Sequence, residues 1–159
     1  MREYSDELAA CVKAYLESQE WRYEFVEERG IFRFGLNIAC KMKSIHMLIG
    51  ISEEGFMASA ISPISPDEGM RDKAAEFIAR ANYGLRYGCF EMDYSDGEIS
   101  YKNALFCGED IPSQSVVEHT VDLPFFMWKK YGDAFLSMIF GGLSPEEAVA
   151  MAEGEKESD

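Results

Sequence analysis

The sequence predicts an α+β fold in a single domain: an antiparallel sheet with helices packed on one face. Three observations carry this. Apolar residues recur at steps of three and four in some stretches and alternate with period two in others. The alternating stretches are joined by short turns, as in an antiparallel meander. The chain has 159 residues, the size of one domain with a core of its own. The expected order is α-β-β-β-β-α-β-β-α-α, bracketing antiparallel strands with helices. Residues 1–152 form the domain, and 153–159, without an apolar residue, are expected to be a disordered acidic tail.

The first helix runs from Asp6 to Ser18. Tyr4, Leu8, Cys11, Val12 and Tyr15 draw one apolar stripe, and Asp6 and Glu7 favour the positive end of the helix dipole. Trp21, Tyr23 and Phe25 then alternate with Arg22 and Glu24, and a turn spans Glu27–Gly30. Phe32, Phe34, Leu36 and Ile38 make a second strand, and Ile45, Met47, Ile49 and Ile51 a third. A fourth follows the Ser52–Gly55 turn, near Phe56–Ser62.

Ser65-Pro66-Asp67-Glu68 reads as a capping box with proline at the first helical position. It opens a helix buried through Met70, Ala74, Phe77, Ile78 and Ala81, ending at Asn82 or Gly84. Asp96-Gly97 predicts a two-residue hairpin turn that pairs Tyr94 with Ile99, Met92 with Tyr101 and Glu91 with Lys102. Ser113 caps a long helical stretch, which Pro124 is expected to kink or break. Gly141-Gly142 stops it, and Ser144-Pro145-Glu146-Glu147 starts a short last helix.

Fifteen Lys and Arg against 29 Asp and Glu leave a formal charge of −14, which repels nucleic acid and anionic membrane surfaces. With 47% hydrophobic residues the chain is nonetheless no disordered acidic segment. MREYSDELAA has no signal-peptide pattern, and no apolar run approaches the roughly 18 residues of a membrane span. Cys11, Cys40, Cys89 and Cys107 show no C-x-x-C spacing, so four reduced thiols in a cytoplasmic protein are expected.

No catalytic constellation emerges. Glu91, Asp93, Asp96 and Glu98 cluster near the hairpin, but the first ligand position of a calcium loop ending at Gly97 would be Met92. They read as a turn and a solvated strand face. His119 precedes Asp122 by three residues, half of a relay without a nucleophile elbow; His46 lies on a strand. Structural roles are expected for both histidines. Phosphate-binding glycine loops and H-E-x-x-H are absent, so neither metal nor cofactor is expected.

One feature resists a purely structural reading. Phe125, Phe126, Met127 and Trp128 are consecutive, and at about 100° per residue they span roughly 300° of a helix. Phe135, Leu136, Met138, Ile139 and Phe140 repeat the problem further on. Such a helix is either sandwiched within its domain or covered by a second chain, most simply a twofold copy. Phe125, Phe126, Trp128, Phe135 and Met138 are therefore the expected dimer or partner interface. Truncating Trp128 to Ala is expected to cost about 2 kcal/mol or more of association.

Asn82-Tyr83-Gly84-Leu85, Gly88-Cys89-Phe90-Glu91-Met92-Asp93 and Asp96-Gly97-Glu98-Ile99-Ser100-Tyr101-Lys102 together resemble the YbjN-like domain family. So does the closing run Gly141-Gly142-Leu143-Ser144-Pro145-Glu146-Glu147-Ala148. These are small bacterial proteins, some described as sensory transduction regulators. The resemblance covers Leu8 to Val149; Cys89 and a fourth early strand depart from the family's pattern. It implies a fold similar to type III secretion chaperones, commonly dimeric proteins that bind extended client segments, and it implies no catalytic residue. The expected function is thus a non-enzymatic protein-binding module, chaperone-like or regulatory, acting as a homodimer through a strand edge or apolar groove. The alternative is a small-molecule sensor or enzyme with a pocket between sheet and helices, His46 at its mouth.

Overall fold

A computed structural model of the chain describes residues 3–154. In order it holds α1 (Asp6–Ser18), β1 (Glu24–Val26), β2 (Ile31–Asn37), β3 (Ser44–Ile51) and β4 (Gly55–Ile61). A 3-10 turn (Glu68–Met70) leads into α2 (Arg71–Asn82), followed by β5 (Cys89–Met92), β6 (Ile99–Phe106), α3 (Gln114–Gly141) and α4 (Pro145–Glu153). The architecture is α+β in the expected order. The sheet has six strands in the order β1-β2-β3-β4-β6-β5, every pair antiparallel.

Strand alternation gives the sheet one face rich in large apolar groups. Across it run Phe34, Met47, Ala60, Tyr101 and Phe90, register partners that are all buried. The β4 positions are small because α3 lies over them: the Trp128 indole N–H donates to the Ala60 carbonyl at 2.7 Å. Phe90 meets the Trp128 ring edge-on at 5.0 Å, and Phe77 of α2 and Tyr131 of α3 close around Phe90. α1 enters under a Ser5 cap, whose hydroxyl accepts from the Leu8 N–H at 3.2 Å, and buries Leu8, Val12, Tyr15 and Leu16.

Several local expectations are corrected. Trp21 and Tyr23 precede β1; Trp21 leaves the ladder to stack on Phe34 at 5.6 Å. The Ser65 capping box does not form: Asp67 caps the 3-10 turn through the Met70 N–H, and α2 starts at Arg71 without a side-chain cap. The hairpin register is displaced by two residues, pairing Met92 with Ile99 and Phe90 with Tyr101. Asx turns lengthen its loop: Asp93 Oδ1 accepts from the Ser95 N–H and hydroxyl, and Asp96 Oδ1 from the Glu98 N–H. Glu91 and Lys102 still meet at 2.8 Å, across the diagonal.

Pro124 neither breaks nor interrupts α3, which runs 28 residues through it. Proline leaves the carbonyl four residues earlier without its helical donor. That carbonyl belongs to Thr120, and the buried Asn103 amide of β6 reaches it at 3.5 Å. The tail expected over 153–159 lies outside the described residues except at its start. There Glu153 belongs to α4, and its carboxylate accepts the Tyr131 hydroxyl at 2.7 Å.

Candidate binding surface

α3 is mostly not the interface that its composition suggests. Trp128 and Phe135 are 0% exposed and Met138 1%, all inside the chain's own core. The physical reason is a sandwich: α3 packs on β4 and β6 on one side and against α1 and α4 on the others. Phe125 is half-buried, its ring edge-on to Trp21 at 5.8 Å. Phe126 and Phe140 alone remain largely exposed from these clusters, at 50% and 73%. They stand about 21 Å apart along the axis, with charged Lys129 and Asp133 between them. No continuous apolar patch results.

The polar candidates have internal partners or open surroundings. Asp122 accepts the Tyr15 hydroxyl at 2.6 Å, tying α3 to α1, while the exposed His119 ring packs edge-on against Tyr87 at 5.1 Å. Burial pushes the Asp122 carboxyl above its ordinary range; the Tyr15 hydrogen bond opposes the shift, and Glu118 adds to it. Hydrogen bonds from Ser95 hold Asp93 below the usual carboxylate range. The four cysteines are free and half-buried, and burial raises the Cys107 thiol. Among the described residues no cluster of three His, Cys, Asp or Glu could hold a metal. Phe90, Trp128 and Tyr131 pack into the space between sheet and helices, and the exposed His46 lies on the opposite face. His46 instead lines an open depression of about 520 Å³ with Gly35, Asn37, Ser44, Ile61 and Pro63.

The residues buried beneath the helices lie on one face of the sheet, and the other face is the more exposed one. Its register rows can be read across the strands. Val26, Ile31, Gly50, Met57 and Ala104 form an unbroken apolar row from β1 to β6. The next row is Glu24, Arg33, Leu48, Ser59, Lys102 and Cys89, and the third is Gly35, His46, Ile61, Ser100 and Glu91. Ile31, Leu48, Met57 and Ile61 are partly exposed, and Phe106 at the end of β6 is 77% exposed on the same side. Two carboxylates and two permanent cations share this face, Glu91 already joined to Lys102. The charge of −14 therefore lies elsewhere on the chain.

Both edges of the sheet are guarded. The Asn82 side chain reaches β5 as a substitute strand, accepting from the Phe90 N–H at 2.7 Å and donating to the Phe90 carbonyl at 2.9 Å. At the other edge β1 has only three residues. This weakens the expectation of capture at a strand edge. The open face went unread in the sequence, although Phe56-Met57-Ala58 carries apolar groups on both sides of a strand, the signal that could have revealed it.

No family model matches the chain, and no curated protein matches it. None of the described helices is long and apolar enough to cross a membrane.

Proposed function

We propose that this chain is a non-enzymatic protein-binding module, chaperone-like or regulatory, of the YbjN-like kind, working in the cytoplasm. Its docking surface is the uncovered face of the six-stranded sheet. The apolar row from Val26 to Ala104 carries this reading. Partly exposed Ile31 and Met57 in this row, with Leu48 beside them in the next, are unfavourable in water and favourable beneath another protein. The guarded edges support face contact over strand addition. Protein partners, the expected homodimer included, belong on this face and not on α3.

The test is affinity capture from the native lysate with wild-type and Leu48→Glu baits, each co-expressed with an untagged copy, followed by mass spectrometry. A protein, the untagged copy or another, recovered with wild type and lost with Leu48→Glu supports the reading. Identical recoveries overturn it. The depression lined by Asn37, Ser44 and His46 favours a second reading, a small-molecule sensor. A metabolite that raises the melting temperature of wild type but not of His46→Ala would establish it.

A further inference from the structure

We propose that the uncovered sheet face seats a second copy of this chain, the two sheets packing face against face about a twofold axis. This rests on the reading of that face as a protein-docking surface and names its occupant. The first argument is electrostatic. Two copies, each at −14, repel one another wherever acidic surface meets acidic surface. The sheet face is exempt, because Glu24 and Glu91 are matched by Arg33 and Lys102 within it. It is thus a surface that this chain can present to itself without the repulsion that its net charge imposes elsewhere.

The second argument is area. Six strands spaced about 4.8 Å apart, the central ones seven or eight residues long, make a flat footprint of roughly 600 Å² before side-chain relief is counted. Interfaces of standard size bury about 800 Å² per partner, so the face is of the scale that a stable dimer needs. The third argument is composition. A twofold contact requires one patch to match itself. Gly50 and Ala104 leave shallow gaps beside Ile31, Leu48 and Met57, so that apolar knobs and hollows lie on the same surface. Sheets packed this way sit about 10 Å apart, their facing side chains forming a shared core.

Sedimentation equilibrium of the purified chain, with wild type, Leu48→Glu, Met57→Arg and Phe126→Asp compared, tests the proposal. Wild type and Phe126→Asp are expected to be dimers at roughly 100 µM, and both sheet-face variants to dissociate at least about tenfold more readily. Because the two sheet variants add opposite charges, loss in both reports the apolar contact. Raising salt is expected to tighten the wild-type dimer by screening the remaining acids. Circular dichroism checks that the variants fold, and one readout needs no variant: acetylation of Lys102 should slow as wild-type concentration rises, while that of Lys13 on α1 should not. A monomeric wild type, or a dimer indifferent to both sheet substitutions with Lys102 unprotected, overturns the proposal. A monomer that still captures a different protein through Leu48 overturns the second copy alone and leaves the docking reading standing.

Discussion

Asn103 and Thr120 show how one side chain can repair another residue's backbone. Pro124 withholds a donor from the Thr120 carbonyl in the middle of a buried helix, and Asn103 supplies one from the neighbouring strand at 3.5 Å. Asn103→Ala is therefore expected to cost about 1–3 kcal/mol, measured by urea denaturation. In a Pro124→Ala background the helix regains its own N–H, so the same substitution should cost less, by about 1 kcal/mol in a double-mutant cycle. Equal costs in both backgrounds would show that Asn103 does not serve that carbonyl. Pro124 was legible in the sequence as an obstacle, but its remedy was not, because Asn103 lies on another element.

Asp122 makes a different kind of statement. Its carboxyl is held above the ordinary range chiefly by burial, with Glu118 adding to the shift and Tyr15 and His119 opposing it. A raised carboxyl in the folded chain means that the ionised form is better solvated when unfolded. The favourable contribution is thus present below the ordinary aspartate range and is lost as pH rises through the raised value. The difference in urea midpoint between wild type and Asp122→Asn should shift against wild type over that rise. A difference independent of pH would contradict the assigned burial.

At the scale of elements, devices written in adjacent residues were readable and those made by distant ones were not. The Ser144 cap and first-turn proline of α4 appear as the sequence predicts, with Ser144 Oγ accepting from the Glu147 N–H at 3.1 Å. The hairpin's existence was equally clear, yet its register moved because Asp93 and Asp96 spend their carboxylates on the loop. Gly97, at φ +81°, then nests against the Pro66 carbonyl, a contact that pairing rules confined to the hairpin do not contain. The Asn82 clamp on β5 belongs to the same class. Asn82→Ala should free both polar groups of Phe90, cost about 1–3 kcal/mol and leave an open edge. Light scattering should then detect species larger than wild type, and Asn82→Asp, which keeps only the acceptor, should fall between. Unchanged size and stability would mean that water guards the edge equally well.

For the whole molecule, the instructive failure is α3. Its aromatic residues are too widely spread for one buried side, and that inference from the sequence holds; what covers them was misjudged. A helix of 28 residues is about 42 Å long, enough to meet the sheet, α1 and α4 at different points along its length. Trp128, Phe135 and Met138 thus find separate neighbours within one chain. Helix count and order follow from periodicity, but which helix becomes the centre depends on contacts between residues far apart in the sequence. The outward sheet face escaped notice for the related reason that its rows exist only once five separate strands are set side by side.

The amide plugged into one rim of the sheet and the brevity of the other have a consequence for how such molecules meet in a crowded solution. One rim is closed at Phe90 and the other is only three residues long, so a neighbouring backbone finds few rungs there on which end-to-end growth into fibres could begin. If two copies meet broadside, as proposed, that contact is spent once the two broad sides are together, and association of that kind would stop at a pair.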